Sequence, residues 1–183
     1  MLKEKIGQTF EALKGRFSYR NTMQSPRLLK VVINVGIGSI KDPKKKELIK
    51  ERLVRITGQK PLERGAKKSI ASFKTRQGDK VAYQVTLRGQ RMYDFLDRLL
   101  NIALPRTKDF RGIPLSGLDE MGNYTLGIRE HIIFPETSDE ELKDVFGLAV
   151  IIVTTAKGKE EAKAFLEHLG SPFSKETEAS KQG

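Results

Sequence analysis

An α+β fold is predicted for this chain, a largely antiparallel sheet covered by helices on one face, with a basic hairpin projecting from it. Three observations predict it. The elements follow the order αβαββαββα. Strand-like segments come in two adjacent pairs, which favours antiparallel neighbours over crossover units. Each helix-like segment carries one apolar stripe at steps of three and four, so each has a single face to bury.

Leu2, Ile6, Phe10, Leu13 and Phe17 draw the first helix, with lysines on its outer side. Ser25-Pro26 punctuates, and Leu28 to Val35 follows as a β-rich, mostly buried strand leaving through Gly36-Ile37-Gly38. Asp42 is a good N-cap with Pro43 in the first helical position, and Gly58 stops the second helix, whose stripe is Leu48, Ile49, Leu53 and Ile56. Residues 60–88 read as a long hairpin. One arm runs from Lys60 to Phe73 and the other from Val81 to Arg88, with the turn Gln77-Gly78-Asp79 in the tip between Lys74 and Lys80. Met92, Phe95, Leu96, Leu99, Leu100 and Ala103 form a third stripe, ended by Pro105. Arg106 to Tyr124 reads as an extended loop, Tyr124–Phe134 and Leu148–Thr155 as strands, and Lys159–Leu169 as a last helix capped by Gly170. Residues 1–173 are expected to form a single domain, and 174–183 a polar, disordered tail.

Charge divides the chain unevenly. Residues 1–112 hold 27 Lys and Arg against 10 Asp and Glu, whereas residues 113–156 hold 2 against 8. Clustered cations neutralise phosphates and release condensed counterions, so the net +11 points to a polyanionic partner. The acidic segment repels that ligand and suits either a basic protein partner or a solvated linker that keeps the chain soluble. Cysteine is absent, which excludes disulfides and thiolate chemistry. Lys3, Lys5, Lys14, Arg16 and Arg20 interrupt any signal-like apolar run, and Ala149–Val153 is far too short to span a bilayer, so a cytoplasmic protein without membrane association is expected.

Catalysis has little support. His131 and His168 have no partner at ligand spacing, and both read as structural. Gly36-Ile37-Gly38 lacks a third glycine, position 41 being Lys, and reads as a tight strand exit rather than a dinucleotide turn. The hairpin is more informative. Lys60, Arg64, Lys67, Lys68, Lys74, Arg76 and Lys80 meet only Glu63 and Asp79, with small residues between them and Phe73 and Tyr83 supplying aromatic faces. Arg106, Lys108 and Arg111 repeat the cation-plus-aromatic pattern around Phe110. Asn34 interrupts an apolar strand, and Thr86 and Arg88 share one strand face by period two. Buried, Arg88 would be costly; an open face reading a polar ligand removes that difficulty.

The strings SPRLLKVVINVGIG, ITGQKPLERGAKKSIASFKTRQGDKVAYQVTLRG, RMYDFLDRLLNIALPRTKDFRG and GNYTLGIREHIIFPE, then TTA and SPF, occur in order from about Tyr19 to Phe173. In these the chain resembles the bacterial-type 5S-rRNA-binding family of the large ribosomal subunit, fifth in the large-subunit series. The resemblance implies a structural protein of the central protuberance, without enzymatic activity, cofactor, metal or homo-oligomer. It implies that an open sheet face grips 5S rRNA through Asn34, Gln59, Thr86 and Arg88; beside them, the basic residues Arg64, Lys67, Lys68, Arg106, Lys108 and Arg111 are expected, from their charge, as phosphate contacts. It implies a hairpin tip reaching peptidyl-site transfer RNA: Ser69, Ser72, Phe73, Lys74, Arg76, Gln77 and Gly78. It further implies that Glu136, Asp139, Glu140, Glu141 and Asp144 meet a basic protein of the small-subunit head, among neighbouring large-subunit proteins. A non-specific RNA chaperone and an RNA-modifying enzyme are the alternatives.

Overall fold

Val31, Ile33 and Val35 alternate with Lys30, Val32 and Asn34 along the strand Leu28–Gly36 (β1), and that alternation decides which face of the sheet is buried. The computed structural model describes residues 2–108, 110–137 and 145–174. Its strands β1, β2 (Leu62–Gly65), β3 (Lys80–Leu87), β4 (Tyr124–Ile128) and β5 (Leu148–Thr154) form one antiparallel sheet in the order β2-β3-β1-β5-β4. Tyr83, Val85 and Leu87 of β3, Leu126 and Ile128 of β4, and Val150 and Ile152 of β5 join the β1 triplet in the core.

The helices α1 (Leu2–Phe17), α2 (Pro43–Thr57), α3 (Gly89–Arg98) and α4 (Lys159–Leu169) supply the other half of that core. Ile49, Leu53, Phe95, Leu96 and Phe165 are at most 1 % exposed. The expected start of α2 is present: the Asp42 carboxylate accepts the Lys44 amide at 2.9 Å, and Gly58 closes the helix at φ +66°. The stripe after Met92 outlasts α3, because Leu99–Ala103 continue as a π turn in which the Leu104 amide donates to the Leu99 carbonyl. Ile37 is fully buried and its amide donates to the Val81 carbonyl at 2.8 Å, so the Gly36–Gly38 turn docks a core residue.

Three sequence expectations need correction. The arm expected from Lys60 to Phe73 pairs as a strand only over Leu62–Gly65, since Ala66, Lys67, Lys68 and Ser69 offer no alternating apolar face to bury. The chain reverses at Ala71–Phe73, flanked by an Ile70–Thr75 bridge, and not at Gln77-Gly78-Asp79. Gln77-Gly78-Asp79 is instead a local turn on the returning arm, which pairs back to Ala66 through bonds of 2.8 and 2.9 Å. The strand expected over Tyr124–Phe134 ends at Ile128, because Arg129 and Glu130 break the alternation and His131–Ile133 form a 3-10 turn. The tail beyond Ser174 lies outside the described residues.

Candidate nucleic-acid interface

The second face of the sheet carries no helix among the described residues. Register places its side chains in rows. Leu62, Gln84, Asn34, Ala149 and Gly127 lie side by side across all five strands, and Thr86, Val32, Ile151 and Thr125 form the adjacent row. Asn34, Gln84 and Thr86 are half-buried, while Leu62, Arg64, Thr125 and Gly127 are exposed. Polar groups held in place yet open to solvent are suited to a ligand rich in hydroxyls and phosphates.

Each predicted residue on this face is positioned by its neighbours. Thr86 stands at the β3 end, and its carbonyl accepts a bond from the Gln59 amide nitrogen at 3.3 Å. Gln59 follows directly on the left-handed Gly58, so the helix stop swings it onto the sheet margin. Arg88 is not in the strand, which ends at Leu87. Gly89, at φ +57°, turns the chain into α3 there. The extended backbone of Arg88 (φ −140°, ψ 164°) prolongs the alternation by one residue, leaving its exposed side chain at the rim on the Thr86 side. The feared buried charge therefore does not arise.

Sequence reasoning missed Gln84 and Lys30. The Arg64 Nε donates to the Gln84 Oε1 at 2.5 Å, which turns the Gln84 NH₂ away from Arg64, and Lys30 extends the same face beyond Val32. The signal was period two counted back from Thr86 and from Asn34.

At the hairpin base, Lys80 bonds Glu63 at 2.6 Å and Lys50 lies 4.0 Å from the same carboxylate group. The Lys80 hydrogen bond holds the Glu63 carboxyl below its usual range, and the pairing raises the Lys80 ammonium in turn. Lys80 is thereby answered within the chain. Lys67, Lys68, Lys74 and Arg76 are exposed farther out. The loop there is hydrogen-bonded: the Ser69 hydroxyl accepts the Gln77 amide at 3.0 Å and the Asp79 carboxylate accepts the Arg76 amide at 2.7 Å. Phe73 is 74 % exposed at the reversal, with Ser72 before it and Lys74 after it at φ +51°. Gly78 takes φ +92° on the return.

Arg106, Lys108 and Arg111 sit elsewhere, beside β4 at the opposite sheet edge. On the acidic side, Asp139, Glu140, Glu141 and Asp144 lie outside the described residues, while Glu136 is drawn to Arg98, 3.3 Å from its Nε. His131 is fully buried, stacks on Phe146 at 4.0 Å and accepts the Phe146 amide on Nδ1. His168 contacts the Lys5 carbonyl at 2.7 Å. Both histidines thus join chain segments together. Among the described residues no cluster of His, Cys, Asp and Glu could hold a metal, and no helix is long and apolar enough to cross a membrane.

Comparison with known proteins accounts for this architecture. Residues 21–76 match the family model described as ribosomal protein L5, and residues 80–173 match the model for the C-terminus of that same ribosomal family. The chain is 52 % identical to the large ribosomal subunit protein uL5 of Caldanaerobacter subterraneus subsp. tengcongensis, covering 95 % of this chain and 98 % of that one. It is also 52 % identical to uL5 of Mesoplasma florum, over 86 % and 88 %. With uL5 of Anaeromyxobacter dehalogenans it shares 49 %, over 94 % and 97 %. The chain therefore belongs to the uL5 family of large-subunit ribosomal proteins, a structural family and not an enzymatic one.

Proposed function

We propose that this protein binds 5S rRNA in the large subunit of the cytoplasmic ribosome, through the open face of its sheet. The observation that carries the reading is the row Gln84–Asn34 with Thr86 beside it, half-buried polar side chains on a face that no helix among the described residues covers. Gln59 and Arg88 frame that row at one end and Arg64 at the other, with Lys67 and Lys68 beyond. Short polar groups suit 2′-hydroxyls and splayed bases, and the flanking cations suit phosphates, with Arg106, Lys108 and Arg111 adding a separate cationic group at the β4 edge. Residues 1–173 act together as the RNA-binding unit.

Binding of 5S rRNA, measured against an unrelated RNA of equal length across a salt series, tests this reading. Selectivity at every salt concentration is expected, whereas a salt slope without selectivity would favour a general RNA chaperone. Arg88→Ala should cost about 1–3 kcal/mol in 5S rRNA affinity. An unchanged affinity in the folded variant removes Arg88 from the site.

The hairpin serves a second RNA in this reading, the peptidyl-site transfer RNA. Ser69, Ser72, Phe73, Lys74, Arg76, Gln77 and Gly78 lie beyond the paired strands, and an exposed aromatic among cations is a stacking surface for a base. Deleting Ser72–Gly78 should spare 5S rRNA binding and weaken transfer RNA occupancy of the peptidyl site. Loss of 5S rRNA binding with the fold intact would contradict that division.

The acidic segment is the third surface, facing a basic protein of the small-subunit head. Asp139, Glu140, Glu141 and Asp144 carry it, with Glu136 contributing at its margin while paired to Arg98. A contact between exposed charges is weak and salt-sensitive, which suits one that re-forms as the subunits rotate. Converting Glu140, Glu141 and Asp144 to lysine should weaken subunit association without changing 5S rRNA affinity. Unaltered association and salt dependence would reduce the segment to a linker.

A further inference from the structure

Beside β4 lies a groove of about 910 Å³, between residues 104–108 and 110–114 on one side and residues 126–133 on the other. Its floor is apolar, formed by Leu104, Ile113, Ile128 and Ile132. Its rim is cationic from both sides. Arg106, Lys108 and Arg111 stand on the loop, and Arg129 faces them from the strand end. Glu130 is the one carboxylate among the described lining residues. Phe110 is half-buried, packs against the core and lines the groove.

We infer that this groove seats an unpaired stretch of RNA, with a base against Phe110 and the apolar floor and its phosphates on the Arg106–Arg129 rim. The inference deepens the rRNA-binding reading and rests on it. The volume is at the upper end of the ~300–1,000 Å³ of pockets that enclose small organic ligands, enough for a base and its sugar. An apolar floor needs an exposed base face, which a stacked duplex cannot offer and a single strand can. The hairpin edge and the β4 edge are separated by four strand spacings, about 19 Å, so this nucleotide is not one held by the hairpin.

A cationic rim would also attract an acidic peptide adding a strand to β4, but the edge is already occupied along its first half. Leu118 bridges to Tyr124, the Tyr124 hydroxyl donates to the Pro114 carbonyl at 3.0 Å, and Gly117 packs directly on the Thr125 carbonyl. Among the described residues this leaves Leu126–Ile128 for pairing, three residues at the short limit of strand length, so an added strand would be a weak one.

The probe is a uridine hexanucleotide carrying one photoreactive 4-thiouridine, cross-linked to the full chain and mapped by mass spectrometry. Cross-links are expected within residues 104–114 or 126–133. Phe110→Leu, which keeps an apolar filler, and Arg129→Glu should each weaken hexanucleotide binding at least fivefold and deplete those cross-links. Cross-links confined to the hairpin overturn the proposal, as does equal competition by a duplex of the same charge. So does an alternating Glu-Leu peptide that displaces the hexanucleotide from the groove. Asn34→Glu separates the two readings: it should lower 5S rRNA affinity about 100-fold or more and leave the groove cross-links in place. If 5S rRNA binding survives Asn34→Glu, the open-face reading fails while the cross-links still judge the groove.

Discussion

Asn34→Glu should reduce 5S rRNA affinity about 100-fold or more, because a lost polar contact of roughly 1–3 kcal/mol is compounded by repulsion between a new carboxylate and the phosphates. No lysine on the surface offers so clean a test. Lysine contacts are distributed, so removing one lowers affinity evenly across RNAs and shallows the salt slope by about one unit. Asn34 sits at the middle of the sheet, between Gln84 on β3 and Ala149 on β5, where a ligand lying on the face must pass over it. Glutamate at a half-buried position opening to water is tolerated by the fold, and the circular dichroism spectrum and melting point should stay close to those of the parent. Affinity within twofold of the parent, in a folded variant, would mean that the RNA does not lie on this face. Thr125→Glu, on the same face but two strands away, gives the gradient: a smaller loss is expected there if the ligand is centred on β1 and β3.

The parts of this interface that the sequence reveals share one property: they violate a pattern. Asn34 is legible because Ile33 and Val35 on either side of it are buried in the core, and Thr86 is legible for the same reason between Val85 and Leu87. Gln84 escapes notice, since a polar residue at an alternate position is what any solvated strand displays. Its role appears only when Arg64, twenty residues away, is seen to orient its amide. The hairpin reversal misleads for a different reason. Gln77-Gly78-Asp79 is a true turn signal, and a turn forms there, with the Asp79 amide donating to Arg76. The larger reversal at Ala71–Phe73 closes on Lys74 in the left-handed region, a conformation that a lysine does not advertise. Arg129 and the Glu136–Arg98 pair are tertiary in origin, joining segments that no local spacing relates. The helices α1 to α4, by contrast, follow from stripes and caps, because each has one apolar face to bury in the core, whether against the sheet or, for α1, against α4 and α3.

Phe165→Ala should destabilise the protein by about 3–5 kcal/mol, the usual cost of a cavity left by a fully enclosed aromatic ring. Phe165 is 0 % exposed in α4, a helix that also packs against α1, so the void opens where two helices and the sheet meet. For a chain of this size each kcal/mol shifts the midpoint by about 2–4 °C, so the melting temperature should fall by roughly 6–20 °C. The ring lies on the helix side and the proposed RNA-binding face on the other, so stability and recognition should separate. Below its transition the variant should bind 5S rRNA as the parent does. Bound RNA should then raise its melting temperature with ligand concentration, since a ligand of the native state stabilises by RT ln(1 + [L]/Kd). If affinity falls in step with stability under fully folding conditions, the two faces of the sheet are coupled, and the open face cannot be treated as a rigid surface that the helices merely support. If affinity holds while the midpoint drops, the helix side fixes the sheet and the polar row on the open side does the reading.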